Sequence, residues 1–171
     1  MKNSEGSSRY LRPRAGQSLV EFALLVPILL LLIFGLIEFA SAIDTVHSMS
    51  SLTREGANLA ARGTSLDTVA ELVLSNGAEI QLQRRGGVVA SEVRITDGVP
   101  LVTAQAHSTG FVGTSQIGAV GDTAGAIASL GLLDDQKHYV VEIFYRAENL
   151  TPVHRLLGFG IPEVMYDRAV F

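Results

Sequence analysis

Gly16-Gln17-Ser18-Leu19-Val20-Glu21-Phe22-Ala23-Leu24-Leu25-Val26-Pro27 leads into an apolar run that continues to Ile37, and the reading of this stretch decides the rest of the chain. The 16 residues from Phe22 to Ile37 carry no charge, and the apolar pattern resumes after Glu38 and reaches Ile43. As a helix, Phe22 to Ile43 spans about 33 Å, enough for a hydrocarbon core of roughly 30 Å. Glu21 is the odd feature. A carboxylate drawn into such a run without a partner costs about 2.5–3.5 kcal/mol at mid-membrane.

Outward from this stretch, charge is divided along the chain. Residues 1–16 hold Lys2, Arg9, Arg12 and Arg14 against Glu5. Removing these from the totals of 13 basic and 17 acidic residues leaves 9 and 16, a net of −7. That balance resembles no nucleic-acid footprint. A basic block before the run, and no Lys or Arg after it until Arg54, predicts positive-inside orientation. Residues 1–16 are then cytoplasmic and the chain beyond Asp44 lies outside. With 171 residues, one domain and one membrane segment is the simplest count. The 47% hydrophobic content and mean hydropathy of +0.32 owe much to the N-terminal run. There is no Cys, which excludes disulfides, thiolate metal sites and thiol nucleophiles and leaves the compartment open.

Three readings of the N-terminus follow. A secretory signal peptide would use Ala40-Ser41-Ala42 as a small-x-small cleavage pattern and give a secreted protein cut after Ala42. An uncleaved anchor accounts for the run but not for Gly16 or Glu21. The third reading is a prepilin. The Gly16 to Pro27 stretch resembles the start of TadE-like proteins, minor pilins or pseudopilins of the tight-adherence (Flp) type IV pilus system. Phe34-Gly35-Leu36-Ile37-Glu38-Phe39 and Thr53-Arg54-Glu55-Gly56-Ala57-Asn58-Leu59-Ala60-Ala61-Arg62-Gly63 are similar to that family's later segments. The resemblance covers about residues 16–63 and, more loosely, the C-terminal strands.

The resemblance implies a leader, 1–16, cut by a prepilin peptidase between Gly16 and Gln17. It implies a transmembrane assembly helix over 17–44 and a periplasmic or extracellular pilin-like domain over 45–171. The processing residues are Gly16 and Gln17, and the assembly residues Glu21, Phe22 and Pro27. By family analogy, Glu21 pairs with the N-terminal amine of a neighbouring subunit; the bland alternative keeps it at the headgroup level in water. The implied partners are the peptidase, other minor pilins, the major pilin and the inner-membrane pilus platform. The implied location is the bacterial inner membrane, single-pass, or the pilus tip. The function so implied is to initiate or cap the pilus, and no cofactor is called for.

The helix pattern continues past the membrane. Met49, Leu52, Gly56, Leu59 and Ala60 fall on one face, with His47, Ser51, Arg54, Asn58 and Arg62 opposite, and Gly63 stops a helix of residues 18–62. Pro27 predicts a kink or local loosening. Arg54 and Glu55 read either as salt-bridged surface residues or as subunit contacts. Ser65 caps a second helix buried on Leu66, Val69, Ala70 and Val73, and Asn76-Gly77 ends it in a left-handed turn. Ile80 and Leu82 alternate with polar neighbours as a strand, Gly86-Gly87 turns the chain, and Val89 to Ile95 is a second strand. Asp97-Gly98 is a hairpin signal, and Pro100 marks the strand Leu101–Gln105 as an edge. Residues 107–137 have no period beyond a short helix near Ala124–Leu130. Tyr139 to Arg146 reads as a central strand and Val164 to Phe171 as a final one. The expected fold is α+β: a long helix on an antiparallel sheet of about five strands.

Catalytic patterns are near-misses. Gly113-Thr114-Ser115-Gln116-Ile117-Gly118 is one residue too long for a nucleophile elbow. Asp122-Thr123-Ala124-Gly125 is not an aspartic-protease triplet, and the local glycines lack the Lys-Ser/Thr of a phosphate loop. His47, His107, His138 and His154 show no ligand spacing and read as surface residues; Asp134-Asp135 reads as a solvated turn and not as a metal site. Asn149-Leu150-Thr151 fits a glycosylation sequon. Leu156, Leu157, Phe159 and Ile161 read as core under the sheet or as an apolar patch for a neighbouring subunit. The expectation is a non-enzymatic structural protein. The alternative is a membrane-anchored periplasmic hydrolase or ligand-binding domain unrelated to pili.

Overall fold

The computed structural model describes residues 14–131, 135–149, 151 and 162–171, with side chains from residue 16 onward. The expected α+β architecture is present. Helix α1 (Arg14–Ala61) is a single 48-residue helix, about 72 Å long. It runs without interruption through Pro27. It ends in a Schellman motif: Gly63 has φ +94°, its N–H donates to Ala60 O, and Thr64 N–H donates to Leu59 O. Helix α2 (Leu66–Asn76) follows, with the Ser65 hydroxyl accepting from Thr68 N–H. Val69, Ala70, Val73 and Leu74 are its buried residues.

The sheet has four antiparallel strands in the order β2-β1-β3-β4: β1 (Gly86–Thr96), β2 (Val99–His107), β3 (Lys137–Arg146) and β4 (Val164–Val170). Asp97 and Gly98 both have positive φ, 52° and 74°, as the β1–β2 hairpin turn requires. Pro100 sits on the edge strand β2, whose free side is covered by the chain near Asp122. Val102 N–H donates to Asp122 O and Ala124 N–H to Pro100 O, which leaves less open edge for another chain.

Two apolar layers sandwich the sheet. On one face, Val88, Ala90, Val141, Ile143 and Met165 pack against Met49, Ala57 and Ala60 of α1 and Val69 and Val73 of α2. On the other, Val93, Val102 and Val140 pack beneath Ile117, Ala124 and Ile127 from the long β2–β3 excursion. That excursion contains the expected short helix as a 3-10 turn, Gly125–Leu130.

The structure corrects the sequence reading at several places. The strand expected around Ile80–Gln83 is a turn leading into a one-turn helix, α3 (Leu82–Arg85), so the sheet has four strands, not about five. Gln81, at φ 57°, reverses the chain so that Ile80 and Leu82 both enter the core; alternation alone cannot separate this turn from a strand. Gly77 is not left-handed, with φ −76°. Its role is steric, because a Cβ there would stand 2.6 Å from Leu82 Cβ. Gly86 and Gly87 do not turn the chain but open β1. Added Cβ atoms would lie 2.1 Å from Phe144 O and 2.2 Å from the Phe111 ring, so these glycines permit close approach within the sheet. His138 is buried, whereas His47 and His107 are exposed. His154, Asp134 and Leu150 of the sequon lie outside the described residues.

Candidate assembly site

The first half of α1 stands free of the domain. Leu19, Phe22, Leu24, Leu25, Leu32 and Leu36 are all more than 60% exposed, and none of the most apolar 18-residue window is buried. Ala42 is the first fully packed residue. So long an apolar surface has no stable place in water, and the helix fits a single-pass membrane anchor by length and composition.

At the start of this segment, Gln17 Nε2 donates to Glu21 Oε1 at 3.0 Å. The two side chains therefore share one helix face, one turn apart. Gly16 has nothing within 4 Å of where a Cβ would stand, so packing among the described residues does not require glycine there. Phe22 and Pro27 are exposed, and packing among the described residues does not explain them.

The domain grips the second half of α1 at three levels. Nearest the apolar run, Glu38 Oε2 accepts from Thr151 N–H at 2.9 Å and from Thr151 Oγ1 at 2.8 Å. Glu38, a mid-helix acid in the sequence, thus has a job. It ties the chain after β3 to the helix and marks where the free segment ends. Further along, buried Thr53 donates its one hydroxyl proton to Asp167 Oδ2 of β4 at 2.6 Å. Beyond that, Gly56 lets α1 approach α2 and β3, since a Cβ would meet Val73 Cγ2 at 2.6 Å and Val141 Cγ1 at 3.3 Å. Arg54 and Glu55, beside it, are exposed and enter no hydrogen bond or ion pair among the described residues. They are on the helix surface away from Gly16, Gln17 and Glu21, so the structure does not gather these residues into one site. Leu156, Leu157, Phe159 and Ile161 lie outside the described residues.

One cluster escaped the sequence reading. Glu142, in the centre of β3, is fully buried. Its carboxylate accepts from Ser115 Oγ, from Gln116 N–H at 2.9 Å and from Tyr166 OH at 2.8 Å. Three donors offset the cost of burying the charge and fasten the β2–β3 excursion to the sheet. Burial, then the neighbouring Glu142 charge and hydrogen bond, push the Tyr166 hydroxyl well above its ordinary value, so it stays protonated as a donor. The available signal was an acid inside the apolar run Tyr139–Tyr145, which demands partners wherever that strand is central. Three residues along β1 from Val89, the partner of Glu142, burial tends to raise the Glu92 carboxyl. Hydrogen bonds from Lys137 and Thr103, with the charge of Lys137, outweigh it and hold Glu92 below its ordinary value.

The architecture is thus that of a helix-on-sheet domain carried on a free apolar helix. Residues 16–58 match the model of the TadE-like protein family, in agreement with the resemblance read from the sequence. The matched stretch begins at Gly16 and includes Glu21, the apolar run, Glu38 and the Gly56 crossing. No curated protein and no solved structure gives a significant match.

Proposed function

We propose that the chain is a minor pilin or pseudopilin of the tight-adherence pilus, a structural subunit that helps initiate or cap the fibre. The observation that carries this reading is the free half of α1. It is an apolar assembly helix that its own domain leaves uncovered, inside the TadE-like match, with Glu21 one turn from Gln17. In this reading residues 1–16 are a cytoplasmic leader, 17–44 cross the inner membrane and 45–171 form the periplasmic domain. A prepilin peptidase cuts after Gly16, where a residue without a side chain suits a protease cleft. The cut creates an amine at Gln17, and Glu21 pairs with such an amine on a neighbouring subunit. An unpaired carboxylate in an apolar bundle is penalised, so the pair sets the axial position of each subunit. Other minor pilins, the major pilin and the inner-membrane platform are the partners, Arg54 and Glu55 are available for subunit contacts, and the pilus tip is the final location.

The mature N-terminus tests this. Mass spectrometry of the protein from its native membrane should find Gln17 first, and Gly16→Leu should leave the leader attached. A wild-type chain beginning at Met1 or at Ile43, or normal processing of Gly16→Leu, overturns the assignment.

A further inference from the structure

The domain carries a cationic groove at the end of the sheet from which the free helix leaves. It has a volume of about 510 Å³ and is lined by Arg84, Arg85 and Arg146, with Phe111, Phe144 and Gln116 among its other walls. The chain beyond residue 16 has only 9 basic residues in an excess of acids, and three of them meet here. Their neutralisation within the fold is incomplete. Arg85 pairs with Glu148 and Arg84 bonds the neutral Gln81 side chain, while Arg146 has no acidic partner among the described residues.

The topology fixes which way the groove faces. Met165 lines the same apolar crevice as Phe39, Ala42 and Val46, and Asp167 reaches Thr53, so β4 runs parallel to α1 and starts at its free-helix end. Val164 pairs with Arg146, and Tyr145 with Gly86, so the end of β3 and the start of β1 lie at that same end. The Glu38–Thr151 contact places the chain after β3 lower still. Arg84, Arg85 and Arg146 therefore sit near the level where the apolar run gives way to the domain. A bilayer's polar layer extends roughly 5–8 Å beyond its hydrocarbon core on each side. An arginine side chain rooted at this level reaches into it, and guanidinium matches phosphate oxygens in bidentate geometry.

We propose that the Arg84–Arg85–Arg146 groove binds the phosphate of an anionic phospholipid headgroup and so sets the height and tilt of the domain on the membrane. This rests on α1 spanning the bilayer. Two cations not neutralised by Glu148 are left to meet the uncompensated charge of the lipid. A preference for anionic over zwitterionic lipid of about tenfold, equivalent to about 1.4 kcal/mol, is the size expected of one net hydrogen bond to a charged group.

The test is native mass spectrometry of the full-length protein in detergent, offered phosphatidylglycerol and phosphatidylcholine in equal amounts. Wild type should retain phosphatidylglycerol about tenfold more. The Arg84→Ala/Arg146→Ala variant should retain both alike, and Arg84→Lys/Arg146→Lys should show an intermediate preference, since lysine keeps the charge and loses the bidentate fork. Circular dichroism checks that each variant is folded; both arginines are exposed, so the fold should survive. Equal retention by wild type, or an unchanged preference in the alanine variant, overturns the proposal. So does a groove that takes inorganic phosphate yet shows no lipid preference. Failure of the anchoring itself shows separately, as release of the protein from membranes by alkaline carbonate.

Discussion

Gly56→Ala sets two effects of known size against each other. An alanine in a helix interior is favoured over glycine by about 1 kcal/mol. At this position the added methyl would stand 2.6 Å from Val73 Cγ2, with Val141 methyls at 3.3 and 3.4 Å behind it. Ordinary carbon contacts are about 3.5–4.0 Å, so Val73 must retreat by about 1 Å. A valine in a helix has essentially one χ1 rotamer, so Val73 cannot swing aside and the backbones of α1 and α2 must part. Overpacking of this kind costs about 1–3 kcal/mol. The clash therefore wins, by about 1 kcal/mol, and Tm should fall by about 4 °C. The assay is thermal unfolding of the full-length protein in detergent, followed by tyrosine fluorescence, since the chain has 4 Tyr and no Trp. In a Val73→Ala background the obstructing methyl is gone, and the same Gly56→Ala change should raise Tm relative to Val73→Ala alone. If Gly56→Ala stabilises the wild-type chain, or acts alike in both backgrounds, the close crossing of α1 and α2 is not what requires the glycine.

Two further outcomes follow from the polar contacts. Tyr166 keeps its proton when folded and loses it near pH 10 when unfolded, so folding stability should drop as pH rises through about 10; in Tyr166→Phe that alkaline slope should shrink, as read from urea midpoints at pH 8 and 10.5, whereas an identical slope would refute the half-buried Tyr166–Glu142 contact. Glu38→Ala removes the acceptor of Thr151 and should raise amide exchange at Thr151 by about ten- to a hundredfold with little change in Tm; unchanged exchange would show that Glu38 does not hold this segment.

What the sequence discloses and what it hides divide along the range of the interactions. Helices α1 and α2, the Asp97-Gly98 hairpin, the edge position of Pro100 and the central place of β3 were all legible. Each is written in local periodicity or in a residue with a special backbone demand. Ile80 and Leu82 misled because the spacing that makes one face of a strand also serves two core residues either side of a left-handed one. Gly86-Gly87 misled because the reason for those glycines is Phe144 and Phe111, distant in sequence. The Gln17–Glu21 spacing was plain in the sequence, being local. The Glu142 cluster was not, because Ser115, Gln116 and Tyr166 meet it only through the fold. Nor was the arginine groove, which needs the strand directions before Arg84 and Arg146 become neighbours.

The grip of the domain on only one half of α1 makes that helix a lever. Its fulcrum begins at Glu38, and the 22 residues from Gly16 to Ile37 form a free arm of about 33 Å. Rotating the grip by 10° would sweep the tip at Gln17 through about 6 Å, more than one helical pitch of about 5.4 Å. Small substitutions at Gly56, Thr53 or Glu38 can thus mis-aim the far end of the helix, which they never touch. Under the proposed assembly, such a variant would fold and reach the membrane, yet present Gln17 and Glu21 at the wrong place to a neighbouring subunit.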